Sequence, residues 1–107
     1  MDKKKLPKKV IREVEIFKKT LRGEKLPLSA VYVFGSYAKG TPHKWSDIDV
    51  CIISPKFKNS WDTLQFLWKK RPRNFDLSIE PVGFSPDEFE KGEIPLIHEI
   101  KKFGVIV

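Results

Sequence analysis

Two aspartates one residue apart, Asp47 and Asp49, break into an otherwise apolar stretch, DIDVCII. In a β-strand, residues i and i+2 project from the same face, so these carboxylates stand together about 7 Å apart. Ile48, Val50 and Ile52 then point to the opposite, buried face. Like charges held side by side in a half-buried strand are costly as packing. A divalent cation supplies the missing opposite charge and takes hard oxygen ligands. Taken alone, Asp-x-Asp is equally compatible with Asp47 bonding a turn and Asp49 pairing with a lysine.

Gly35-Ser36 directly follows the strand-like run AVYVF. A glycine there lets the backbone approach an anion closely, and free N–H groups with the serine hydroxyl can receive a phosphate. By itself the pair also suits an ordinary turn. A further carboxylate comes from NFDLSIE, in which Asp76, Ser78 and Glu80 share one face of an expected strand. Beside the Asp47–Asp49 strand, Asp76 would complete a three-carboxylate cluster. Such a cluster can hold two Mg²⁺ ions ~3.5–4 Å apart, clamp a triphosphate and activate an attacking oxygen. His43 and Lys44 lie in the loop before Asp47, where a solvated turn is the plainer reading, and Trp45 is a candidate contact for a nucleobase or a partner. Two histidines and one cysteine leave no zinc cluster.

The elements that would position these groups are legible from spacing. Val10, Ile11, Val14, Phe17 and Leu21 recur at helical intervals over residues 7–22, with Pro7 in the first turn and Gly23 and Pro27 beyond the end. Strands are expected at Ser29–Phe34, Asp47–Ser54 and Asn74–Phe84, the last with Pro81 marking a bulge or an edge. Gly35–Trp45 reads as a turn with one helical turn. Ser60–Arg71 reads as a helix capped by Ser60, with Trp61, Leu64, Leu67 and Trp68 on one face and the two indoles packing into the core. Ser85-Pro86-Asp87-Glu88 is a capping box opening a short helix. A helix over Ile94–Phe103 carries His98 as a structural or surface residue, is stopped by Gly104, and precedes a short strand at Val105–Val107. This order is that of a mixed α/β (α+β) domain with a small sheet flanked by helices.

With 107 residues, 40% hydrophobic and 33% charged, the chain reads as one soluble domain, 1–107, whose residues 1–6 form a disordered basic lead-in. No apolar run approaches the ~20 residues of a membrane helix, and the basic N-terminus lacks a signal-peptide core, so a cytoplasmic protein is expected. Cys51, the single cysteine, sits among aliphatics as a small buried hydrophobe. The net charge of +7 favours anionic partners. Much of it clusters near the N-terminus without interleaved aromatics, which argues against a nucleic-acid interface, and lysine-rich surfaces also occur in heat-adapted proteins.

Gly35-Ser36, ten residues, then Asp47-Ile48-Asp49 resembles the signature of the DNA polymerase β-like nucleotidyltransferase superfamily, and more narrowly its minimal nucleotidyltransferase (MNT) domains. The resemblance covers roughly residues 28–84. It implies a short mixed sheet flanked by helices and a Mg²⁺-dependent transfer of a nucleoside monophosphate, AMP from ATP or another NTP, to a hydroxyl. On this resemblance Asp47 and Asp49 match the ligands of two metal ions, and Gly35 and Ser36 the nucleotide's phosphate contact. Lys39 matches the basic residue in Gly-Ser-x-Ala-basic-Gly, where relatives often carry arginine. Asp76 matches the third carboxylate, with Glu80 on the same face as the rival. MNT proteins are often antitoxins paired with small helical HEPN-domain toxins, which implies a tyrosine hydroxyl as acceptor; a homo-oligomer could instead supply the acceptor site. The competing reading is a catalytically inactive nucleotidyltransferase fold that acts by binding protein or nucleotide.

Overall fold

The computed structural model describes residues 6–42, 47–72 and 77–107. Within them the chain runs α1 (Lys8–Gly23), β1 (Ala30–Phe34), α2 (Gly35–Lys39), β2 (Ile48–Ile53), α3 (Ser60–Lys70), β3 (Ile79–Phe84), α4 (Pro86–Lys91), α5 (Pro95–Phe103) and β4 (Val105–Ile106). This is the mixed α/β architecture expected from the order of elements. The strands form one sheet in the order β3-β2-β1-β4. β1 pairs antiparallel with β2 and β4, whereas β2 and β3 are parallel. A parallel neighbour cannot be reached by a tight turn, and α3 is the crossover that returns the chain to the same end of the sheet.

Helices cover the sheet on both faces. On one face Val10, Val14, Phe17 and Leu21 of α1 and Leu67 of α3 pack with Val31, Val33, Ile48, Val50, Ile52 and Ile79. Burial of each such aliphatic or aromatic side chain is worth about 1.5–3 kcal/mol, which is what fixes a lysine-rich helix onto the sheet. Leu6 belongs to the same cluster, so the expected disordered lead-in does not extend to residue 6. On the other face Phe34, Cys51 and Ile53 meet Ile100 of α5, flanked by Phe84, Phe89 and Leu96. Cys51 is fully buried, as expected for its apolar setting.

That second cluster changes the reading of β2. Ile48, Val50 and Ile52 are buried as expected, but Cys51 and Ile53, on the same face as Asp49, are buried as well. Alternation alone therefore does not explain the aspartates: they occupy one end of a face whose remainder α4 and α5 cover.

Around α3 two expectations are corrected. Asn59, not Ser60, is the cap, its side chain accepting hydrogen bonds from the backbone of Trp61 (2.9 Å) and Asp62 (3.1 Å). The buried stripe is Thr63 and Leu67, while Trp61 is 66% and Trp68 39% exposed, so neither indole is a core residue. Trp68 instead lies along the sheet's β3 edge. Its Nε1–H donates to the Pro81 carbonyl (3.2 Å), and Arg71, stacked 4.3 Å from the Trp68 ring, donates to the Ile79 carbonyl (3.1 Å). Pro81 does sit on an edge strand, where its missing N–H costs no ladder bond. Ser85 and Glu88 form the expected capping box.

Candidate active site

β1 delivers the chain into the site. Phe34, its last residue, lies opposite Asp49 in the antiparallel register, and Gly35 follows at φ +72°. Two reasons restrict position 35 to glycine. The left-handed backbone disfavours any L side chain, and an added Cβ would collide with Oδ2 of Asp49 and stand 3.0 Å from its Cγ. The bare backbone of Gly35 is thus what lets the Asp49 carboxylate lie against the start of α2. Buried Tyr37 and Ala38 root this short helix in the α1-side core. Its end is closed by Gly40 at φ +74° and by a bond from Thr41 N–H to the Ser36 carbonyl (3.0 Å).

β2 and β3 bring the carboxylates together. Parallel pairing places Glu80 directly beside Asp49, and Ile48 N–H donates to the Ser78 carbonyl (2.8 Å) just before that pair. Partial burial holds the Asp49 carboxyl above its ordinary pKa, and the charges of Asp47 and then Glu99 add to the rise. A hydrogen bond from Glu80 offsets part of it. Glu80 is exposed as a residue, yet its carboxyl loses hydration beside the aspartates. That loss, then hydrogen bonds and repulsion from Asp47 and Asp49, raise its pKa too. Asp49 and Glu80 thus share a site in which each makes a second negative charge harder to hold.

Such a cluster of hard oxygen donors with surplus negative charge fits a divalent cation. Among the described residues, no three His, Cys, Asp or Glu side chains already stand in ion-holding geometry.

Of the residues singled out in the sequence, Asp47, Asp49, Gly35 and Ser36 converge at this end of the sheet, with Glu80 beside them. Asp76 lies outside the described residues, as do His43, Lys44 and Trp45. Lys39, at the end of α2, forms an ion pair with Glu99 of α5 (Nζ–Oε1 2.9 Å) and rests 5.1 Å from the centre of the Phe103 ring. His98 is a surface residue. Glu99 was invisible to spacing arguments, because it reaches the site only through the packing of α5 against β1 and α2.

A small mixed sheet with an acidic β2 start beneath a Gly-Ser helical turn defines a nucleotide-handling class of protein. The family profile for the nucleotidyltransferase domain matches residues 14–105, and the chain belongs to that family. The protein adenylyltransferase MntA of Shewanella oneidensis is 34% identical over 62 residues, which are 55% of this chain and 45% of that protein. The chain thus spans about half the length of this curated relative. Among solved structures, a Sulfolobus solfataricus protein assigned as a nucleotidyltransferase aligns with a TM-score of 0.58 at 22% identity, covering 91% of this chain and 80% of its own. A toxin–antitoxin crystal structure with AMP-PNP aligns with a TM-score of 0.55 at 26% identity, covering 83% and 67%. Among the described residues no helix is long and apolar enough to cross a membrane.

Proposed function

We propose that the protein is a Mg²⁺-dependent nucleotidyltransferase that moves AMP from ATP to a hydroxyl of a protein partner. The observation that carries this reading is the convergence of Asp47, Asp49 and Glu80 beneath the Gly35-Ser36 turn. Asp47 and Asp49 would hold the metal, with a third carboxylate drawn from Asp76 by family resemblance or from Glu80 by its register beside Asp49. Bound Mg²⁺ would neutralise the triphosphate and make pyrophosphate a better leaving group.

The chain's own residues have simpler tasks. Gly35 keeps space between α2 and Asp49, Ser36 offers its hydroxyl to a phosphate oxygen, and Lys39 contributes a point charge. The third carboxylate takes the proton of the acceptor hydroxyl as its oxygen bonds to the α-phosphorus and the bond to the pyrophosphate oxygen breaks. A small helical HEPN-type toxin, with the present chain as antitoxin, is the partner suggested by the toxin–antitoxin similarity and by family resemblance.

Incubation with radiolabelled ATP, Mg²⁺ and the product of the neighbouring gene tests the reading. Label on that partner from wild type, and none from Asp47→Ala/Asp49→Ala, is the expected result. Tight complex formation with no transfer by wild type would replace the enzyme with a binding module.

A further inference from the structure

Lys39 is the basic residue of the Gly-Ser signature, and it is already engaged. Its ammonium lies 2.9 Å from Glu99 and over the ring of Phe103, so α5 holds it from two directions. Both partners keep just over a third of their side-chain surface in solvent, at 39% and 37%. The pair is therefore open to exchange with a ligand. Glu99 also stands close enough to Asp49 for its charge to be felt there. A carboxylate in this position bonds the cation a phosphate needs and adds negative charge to a site that must admit a polyanion.

We propose that Glu99 is a positioning residue that occupies the phosphate place on Lys39, so that an incoming nucleoside triphosphate must displace it. The idea deepens the nucleotidyltransferase reading and rests on Lys39 as a phosphate contact. While the site is free of nucleotide, Glu99 keeps the flexible four-carbon stem of Lys39 turned toward α5. Once a triphosphate is present, three anionic groups outcompete one carboxylate, and Lys39 transfers to the ligand. Free inorganic phosphate and nucleoside monophosphates, with less charge, displace Glu99 less readily. The pair thus discriminates by the charge of the phosphate chain.

The size of the effect follows from the exposure of the pair, since surface ion pairs of this kind shift equilibria by about two- to fivefold. Titration of the full chain with ATP and Mg²⁺ by calorimetry, at low and at high salt, reads it directly. Glu99→Gln and Glu99→Ala should each tighten ATP by about two- to fivefold at low salt, with a smaller gain at high salt. The gain should vanish in a Lys39→Met background, and it should appear in KM where transfer is measured. Unchanged or weaker ATP binding in both Glu99 variants would overturn the proposal, as would a gain that survives Lys39→Met. Tight wild-type binding of ATP with either of these results rejects the role of Glu99 alone. No ATP binding by wild type or any variant rejects the nucleotidyltransferase reading and this proposal with it.

Discussion

Gly35→Ala separates the two demands placed on that position, because Gly40 provides an internal control. Both glycines have nearly the same backbone, φ +72° and +74°, but an added Cβ meets Asp49 at position 35 and nothing within 4 Å at position 40. Alanine in the left-handed region costs about 1–2 kcal/mol, and the loss of glycine's freedom in the unfolded chain returns about 0.4–1 kcal/mol. Each variant should therefore lose roughly 1 kcal/mol, or about 4–8 °C in Tm for a domain of this size. Only Gly35→Ala must also push the Asp49 carboxylate aside, because its Cγ would be 3.0 Å from the new methyl. A shift of this kind, on the order of 1 Å, costs about 10²-fold in turnover. Thermal melts followed by circular dichroism, with transfer from labelled ATP on the same preparations, give both quantities. A Tm loss in Gly35→Ala at least as large as that in Gly40→Ala, with activity lost only in Gly35→Ala, is expected. Equal activity losses in the two variants, or Gly35→Ala within twofold of wild type, would refute the argument that the bare α-carbon exists to seat Asp49.

The remaining predictions concern charge and packing. Asp49→Asn should abolish transfer yet raise the Tm of the metal-free protein, since it removes a partly buried charge facing Asp47 and Glu99, and a drop in Tm would contradict the repulsion. Burial pushes the Cys51 thiol from its ordinary 9.0 up to about 12. Its contribution to stability is thus intact below pH 9 and lost as the pH rises toward 12, because the unfolded thiol ionises first. At pH 8 its thiolate population is about 10³-fold below that of a free thiol, so a disulfide exchange reagent should label Cys51 only after unfolding. Gly83→Ala would bring a methyl within 2.6 Å of Thr63 Cγ2 and 2.9 Å of Leu67 Cδ1, where α3 packs on β3. A loss of about 1–3 kcal/mol in a denaturant titration is expected.

Much of the frame follows from local signals. Five apolar residues at helical intervals place α1 within a residue of its observed ends, and β-branched runs place β1 and β2. The capping box at Ser85 predicts α4 outright. The Gly-Ser turn and the paired aspartates are legible because each needs a rare residue type at a fixed spot. Signals fail where a long-range neighbour decides. Trp61 and Trp68 share a helical face, but which face of α3 is covered depends on where the sheet lies, and the crossover turns the stripe of Thr63 and Leu67 inward. Strand alternation puts Glu80 on the same face as Asp76, but only the parallel register with β2 brings it beside Asp49. The Lys39–Glu99 pair spans 60 residues, and nothing in either segment announces the other.

The Trp68 and Arg71 bonds along β3 have a bearing on association. The outermost strand of a sheet ordinarily offers a row of free carbonyls and amides on which another chain can template itself. Here the Ile79 and Pro81 oxygens are occupied from within the same molecule, and Pro81 has no amide to offer. Pairing of another strand along the Ile79–Pro81 stretch is thereby blocked, so a concentrated solution of the folded chain cannot extend its sheet through that part of the edge. Whatever approaches from there meets an indole and a guanidinium, and has to bind by the shape of side chains.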